Sequence, residues 1–338
     1  MEVEVAWQKQ FAIEIVDPSH VGEARRVAAE YAASMGMTEE DRGKISIAVT
    51  EMATNLLKHA GHGKIVCDPV ALDGAWGLRL LSVDKGAGIA DIAAALQDGY
   101  STYGSCGNGL GAVRRLSTVF DLYSVPKQGT CIIAEFLPKK AATISRSFSL
   151  GIISLAVRGE IECGDGWGAR AGANLSFFMI VDGLGHGSLA AEAARQAEHV
   201  LAISHSTSAA EILGDCHDAL KKTRGAAAAI AGISPDQGTL TYAGIGNISA
   251  TVVDHQSRRG LASHNGTLGH QIHKIQEFTV PWNPESILIM HSDGLGTKWD
   301  LNRYAGLTSK HPSIIAAMLY RDFQRERDDV TVMAVKNS

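Results

Sequence analysis

No run in the sequence approaches the ~20 consecutive apolar residues needed to cross a bilayer. The opening MEVEVAWQKQ is acidic and amphipathic, and lacks the basic-then-apolar order of a secretory leader. Five cysteines, Cys67, Cys106, Cys131, Cys163 and Cys216, form no Cys-x-x-Cys pair, and an odd number fits reduced thiols better than a disulfide framework. A basic excess is missing too: 31 Lys and Arg against 36 Asp and Glu give a formal net charge of −5, with no long basic run. A nucleic-acid binder would present a positive field. These absences predict a cytoplasmic protein with no membrane segment and no nucleic-acid partner. What is present is 338 residues, 45% hydrophobic and 20% charged. That is an ordinary globular composition, long enough for two domains that each bury a core.

The stretch Lys44–His59, KISIAVTEMATNLLKH, organises the first half. Ile45, Val49, Met52 and Leu56 form the apolar stripe of a helix on a core. Glu51, Asn55 and His59 recur every four residues on another face. Taken alone, a solvated face explains them. A carboxylate one turn from a carboxamide also suits magnesium-nucleotide chemistry, the one accepting a proton and the other offering a hard oxygen. Before it, residues 3–16 alternate as a strand, and Val21, Ala24, Ala28, Tyr31 and Met35 mark a helix. After it, strands over 64–69 and 76–84 are joined at the Asp73-Gly74 turn.

The second of these strands runs into Asp84-Lys85-Gly86-Ala87-Gly88. An aspartate there can accept the exocyclic amine of an adenine while the glycines let the base approach the backbone. Asp-Gly turns are common enough that this piece alone is weak. A polar loop, Asp98–Asn108, then leads through Gly107, Gly109 and Gly111 into a helix. Glycines before a helix N-terminus suit phosphates. A hairpin closes the half, Phe120–Ser124 and Thr130–Phe136, around Gly129-Thr130.

In this order the pieces resemble the GHKL ATPase superfamily over about residues 8–138, and its RsbT-type serine/threonine switch kinases in particular. The resemblance implies a Bergerat α/β sandwich that binds ATP and Mg²⁺. Glu51 would be the base or would orient the acceptor hydroxyl, and Asn55 would coordinate Mg²⁺. Asp84, Gly86, Gly88 and Thr130 would form the adenine end, and Gly107, Gly109 and Gly111 would line the phosphates within a lid. His59 reads more as a structural polar residue. The substrate implied is a STAS-domain protein of the anti-anti-sigma type, in a cascade that frees a sigma factor or another effector.

Pro138–Arg146 is polar and basic, and the strand pattern restarts at Phe148. The division expected is a first domain over 1–138, a linker over 139–147 and a second domain over 148–338. In the second half, strands are expected over 149–158, 175–181, 226–233, 239–245, 250–253, 286–290 and 332–335. Helices are expected over 188–203, 208–222 and 312–326. The aspartates sit at strand ends: Asp165, Asp182, Asp293 and Asp328. In a β-sandwich such ends can converge, and carboxylates held together call for cations between them. Oxygen-only ligands point to Mg²⁺ or Mn²⁺ rather than zinc.

The succession G-D, V-D-G-x-G-H-G, S-D-G and D-D-V-T resembles the metal-dependent serine/threonine phosphatases of the PPM (type 2C) superfamily, most of all the SpoIIE/RsbX branch. The resemblance implies a β-sandwich flanked by helices with two Mn²⁺ or Mg²⁺ ions. Asp182 would bridge both and act as the central catalytic ligand. The Gly183 carbonyl, Asp165, Asp293 and Asp328 would complete the shells. His186 is expected either near the phosphate or as a helix cap, and Asp329 as a supporting or solvated residue. No arginine stands out as a phosphate clamp.

The fold class expected is therefore α+β in two domains. The function expected is a bifunctional regulator of a partner-switching cascade, a kinase and a phosphatase acting on the same or related partners. The alternative is a nucleotide-gated anti-sigma or STAS docking protein in which one domain turns over little. A GHKL clamp of the mismatch-repair or chaperone kind is poorly supported, since the lid is short and no transducer domain follows.

Overall fold

A computed structural model describes residues 9–72, 75–97, 109–137, 147–254 and 257–338. The chain forms two compact units. Residues 1–146 with Ser309–Arg321 make the first, and Ser147–Thr308 with Asp322–Ser338 make the second. The division expected from sequence puts Ser309–Arg321 with the second half; the structure joins that segment to the first unit. Residues 139–146 of the expected linker and the Asp73-Gly74 turn lie outside the described residues.

The first unit begins with β1 (Phe11–Ile15), the described part of the strand expected over 3–16, and α1 (Ser19–Ser34), which buries Ala24, Ala28 and Ala32 at helical spacing. Next comes α2 (Glu39–Asn55), which starts five residues before the expected helix. Thr38 caps it by accepting the Asp41 amide at 3.2 Å, with acidic residues in the first turn. Ile45, Val49 and Met52 are fully buried, as the stripe predicts. At Leu56 the helix widens into a π turn, Leu56–Ala60, closed by Gly61 at φ 78°. His59 therefore leaves the register shared by Glu51 and Asn55.

Strands β2 (Gly63–Leu72) and β3 (Ala75–Val83), short helix α3 (Ile92–Ala95), α4 (Gly109–Leu116), β4 (Val119–Ser124) and β5 (Thr130–Phe136) follow. The sheet runs β1-β2-β3-β5-β4, antiparallel throughout. Ile65, Cys67, Leu78, Leu80, Ile132 and Ala134 share a core with α1 and α2. Alternation turns Val66, Leu81 and Ile133 to the other face, where they are also fully buried. Arg79 on that face is held between Asp68 at 2.8 Å and Glu135 at 2.6 Å.

The second unit is a sandwich of two five-stranded antiparallel sheets. In chain order its elements are β6 (Phe148–Leu155), β7 (Asp165–Arg170), β8 (Ser176–Gly183), α5 (Ser188–Ile203), α6 (Ala209–Ala219), β9 (Ala226–Ser234), β10 (Thr239–Ile245), β11 (Ser249–Val253), β12 (Arg258–Leu261), β13 (Phe278–Pro281), β14 (Ile287–His291) and β15 (Val330–Asn337). Helix α7 (Pro312–Phe323) precedes β15, and its residues up to Arg321 belong to the first unit. Strands β7, β12 and β13 were not expected. The first two carry little apolar alternation, β7 reading DGWGAR and β12 RRGL, and β13 is only the four residues FTVP.

One sheet is ordered β13-β10-β9-β8-β7 and the other β12-β11-β14-β15-β6. Phe178 and Ile180 of β8 point between the sheets, with Tyr242, Leu288, Met290 and Met333. Phe177, Met179 and Val181 point the other way, onto Ala193, Ala197 and Leu201 of α5. A strand buried on both faces explains the unbroken apolar run of β8. Its alternation also carries Asp182 to the inter-sheet face at the sandwich end.

Candidate active sites

In the first unit Glu51 and Asn55 stand one turn apart on α2, both half-buried. Gly109, the first residue of α4, closes against them. A Cβ there would lie 3.1 Å from Glu51 Oε2, a tight contact, and 3.9 Å from Asn55 Oδ1, so the helix start lies against both side chains. Gly111 is buried one turn-step further along α4. Gly107 lies outside the described residues.

Asp84 follows β3 and is half-buried. Its Oδ1 accepts the Gly86 amide at 2.8 Å and the Thr130 amide at 3.1 Å. Oδ2 has no intramolecular hydrogen bond among the described residues and remains an acceptor for a ligand. Burial raises the carboxyl's pKa, opposed by those two amides and by the charge of Arg321. Gly86 packs so tightly on Ala60 that a Cβ would sit 2.5 Å from the alanine methyl. That contact seats the Asp84 loop on the continuation of α2. Gly88, at φ 69°, abuts the Val125 carbonyl. Thr130 is buried, pairs with Ser124 through Oγ1 at 2.8 Å, and accepts the Asp84 amide at 3.0 Å. Asp84 and the β4–β5 turn are thus laced into one frame.

In the second unit Asp165 and Asp182 are direct register partners on β7 and β8. Ser292 donates to Asp165 Oδ2 at 2.6 Å, and the Thr331 amide donates to Ser292 Oγ at 2.9 Å. Burial and the Asp182 charge push Asp165 well above the usual carboxylate range. Burial, then Asp293, Asp328 and Asp329, push Asp182 up to about 7. Asp293 is raised by burial and by Asp328, while Asn247 Nδ2 donates to its Oδ2 at 2.8 Å. Gly183 sits against Ala190 of α5 with no room for a Cβ, and its amide donates to the Gly164 carbonyl at 3.1 Å.

Sequence reasoning expected these aspartates in one metal cage. The structure sets Asp165 opposite Asp182 in the strand register, and the charges of Asp293, Asp328 and Asp329 act on Asp182. Among the described residues no group of three or more His, Cys, Asp or Glu side chains is gathered closely enough to hold an ion. The acids raise one another's pKa, each opposing ionisation of its neighbours. An all-oxygen donor set that resists ionisation in this way fits divalent cations, whose charge would relieve the repulsion.

Asp329 takes the supporting rather than the solvated role, and His186 differs from the expected cap. Asp329 is buried, and accepts the Val157 and Gly164 amides at 2.7 Å each, so it fixes the loop that leads into Asp165. His186 is not a cap. Gly187 occupies that position, and His186 Nδ1 pairs with Glu160 at 2.7 Å on the surface. Sequence reasoning missed Ser292, although it adjoins Asp293, and Asn247, whose G-N dipeptide reads as a turn. It also missed Arg321, which nothing local distinguishes from a solvated helix arginine.

Comparison with known proteins finds two families along the chain. Residues 16–136 match the histidine kinase-like ATPase domain family, and residues 173–338 match stage II sporulation protein E (SpoIIE). The chain is 37% identical over 125 residues to serine/threonine-protein kinase RsbT of Bacillus subtilis (strain 168), covering 37% of this chain and 94% of RsbT. It is 29% identical over 148 residues to phosphoserine phosphatase RsbX of the same organism, covering 43% of this chain and 73% of RsbX. A crystal structure of RsbX in complex with magnesium is 25% identical with a TM-score of 0.52, over 58% of this chain and 98% of that one. Among the described residues no helix is long and apolar enough to cross a membrane. The chain belongs to the RsbT family of histidine kinase-like ATPases through its first unit, and its residues 173–338 match SpoIIE and are similar to RsbX.

Proposed function

We propose that the chain is a bifunctional regulator: the first unit phosphorylates a serine or threonine of a STAS-domain partner, and the second removes phosphate from the same or a related partner. The observation that carries the reading is that one chain holds both constellations, Glu51 and Asn55 meeting Gly109 in one unit and Asp165 opposite Asp182 in the other.

In the kinase reaction Asp84 Oδ2 accepts the adenine amine, with Gly86, Gly88 and Thr130 shaping that end. Amides at Gly109 and Gly111 receive the phosphates. Asn55 Oδ1 would hold Mg²⁺, which supplies charge neutralisation to the phosphates when bound. Glu51 takes the proton of the acceptor hydroxyl. The hydroxyl oxygen then bonds to the γ-phosphorus, the bond to the β,γ-bridging oxygen breaks, and ADP leaves.

In the phosphatase reaction Asp182, Asp165, the Gly183 carbonyl, Asp293 and Asp328 would hold two Mn²⁺ or Mg²⁺ ions. Bound there, the ions lower the pKa of a water and neutralise the phosphoryl group. Ser292, Asp329 and Asn247 keep the carboxylates aimed. Water oxygen replaces the serine or threonine oxygen on phosphorus, and that oxygen leaves with a proton.

Calorimetric titration with ATP and turnover of p-nitrophenyl phosphate test the two halves separately. Asn55→Ala is expected to lose magnesium-dependent ATP binding and keep phosphatase turnover, and Asp182→Ala is expected to do the reverse. A protein that binds ATP yet performs neither reaction would be a nucleotide-gated docking module instead.

A further inference from the structure

The segment Ser309–Arg321 lies far along the chain from the nucleotide site, yet it is bolted to the first unit along its length. Lys310 Nζ reaches Asp121 Oδ1 at 2.9 Å, and the His311 amide donates to Asp121 Oδ2 at 2.9 Å. Lys64 Nζ donates to the Tyr320 hydroxyl at 2.9 Å and lies over that ring. The last residue, Arg321, is 7% exposed. Its Nη1 donates to two backbone carbonyls at once, Asp84 at 3.0 Å and Gln128 at 2.7 Å.

Those carbonyls belong to the two strips of backbone that frame the adenine end. One is the end of β3 at Asp84. The other is the Val125–Thr130 turn, which also holds the Asp84 loop through Lys127 N to Ala87 O at 2.6 Å. Two carbonyl oxygens aimed at one point repel unless a donor lies between them, and a buried guanidinium satisfies both. The same turn donates the Thr130 amide to Asp84 Oδ1, so its position decides where Oδ2 points.

We infer that Arg321 is a positioning residue of the nucleotide site: by clamping the Asp84 and Gln128 carbonyls it aims the Asp84 carboxylate at the base, so that a helix from the far end of the chain completes the adenine pocket in cis. The inference rests on the nucleotide reading proposed above. It places a determinant of kinase affinity seven residues before Asp328, inside the stretch that a sequence division assigns to the phosphatase.

Calorimetric titration of the full chain with ATP, ADP and adenosine tests it. Arg321 acts at the base, so Arg321→Ala should weaken all three ligands alike, by about tenfold for loss of this charged hydrogen-bonding clamp. The magnesium dependence of ATP binding and the phosphoryl-transfer rate at saturating ATP should be unchanged. Arg321→Lys, which keeps a cation able to reach one carbonyl, should recover part of the affinity and guards against a misfolded alanine variant. Lys310→Ala cuts the other end of the same segment and should bind as wild type does. Adenosine affinity within twofold of wild type in both Arg321 variants would overturn the inference, as would equal weakening by Lys310→Ala, which would reduce Arg321 to general packing. A wild-type protein that binds none of the three ligands would overturn the nucleotide reading itself, and this inference with it.

Discussion

Asp165 and Asp182 are directly opposite one another on β7 and β8, so their carboxylates share the inter-sheet face at one end of the sandwich. Burial raises both, and each resists ionisation further because of neighbouring acids. Neutralising one should therefore stabilise the unit when no cation is present. Asp182→Asn is expected to raise the second unit's thermal midpoint in EDTA by about 2–4 °C, the shift that ~1 kcal/mol produces in a unit of this size. It should also abolish the stabilisation that wild type gains from added Mn²⁺. If Mn²⁺ stabilises the variant as strongly as wild type, Asp182 is not a ligand.

Glu51 and Asn55 are assigned different tasks, and kinetics separates them. Glu51→Gln keeps the shape and removes the base, so ATP affinity should be retained while phosphoryl transfer falls by about 10²–10⁴-fold. Asn55→Ala should instead weaken ATP binding only when magnesium is present. Equal transfer rates for wild type and Glu51→Gln would remove Glu51 from the base role.

The two adjacent acids of D-D-V-T should behave oppositely. Asp329 accepts two loop amides with its two oxygens, and an asparagine would set an N–H against one of them. Asp329→Asn should cost the second unit about 1–3 kcal/mol in denaturant unfolding and lower phosphatase turnover through the displaced Asp165 loop. Asp328→Asn, at an exposed position, should leave stability unchanged while reducing turnover. The reverse ranking of stabilities would contradict the assignment.

Arg79 is buried between Asp68 and Glu135, and its removal leaves two carboxylates in the interior. Arg79→Met should destabilise the first unit by about 3–5 kcal/mol at neutral pH. Even with Arg79 present, burial raises Asp68 to about 6. A raised folded pKa means that the fold binds a proton the unfolded chain gives up, so stability is gained as pH falls through about 6 and lost as pH rises. Denaturation of Arg79→Met at pH 7.5 and 5.5 should show partial recovery at the lower pH. An identical deficit at both values would show that the carboxylates are not the cause.

Much of this was legible in the sequence because periodicity and strand ends carry physical information. The α2 stripe marked which face is buried, and the apolar run of β8 marked a strand, whose cover on both faces only the packing shows. Asp84, Asp182 and Asp293 were visible as acids ending such strands. What was illegible depends on distant pairing. β7 has too little alternation to read as a strand, so the Asp165–Asp182 register stayed hidden. The π turn after Asn55 depends on how Ala60 meets Gly86. Arg321 is invisible because its partners are backbone carbonyls more than a hundred residues away in sequence.

The bifunctional reading requires both activities in one chain, converging on a shared class of partner. Transfer of labelled phosphate from ATP to proteins of the source-cell lysate tests it, using wild type, Asn55→Ala, Asp182→Ala and the double variant. The account predicts a small labelled protein that accumulates with Asp182→Ala, is faint with wild type, and is absent with Asn55→Ala and with the double variant. No labelled protein with any variant, from a chain that binds ATP, would contradict it.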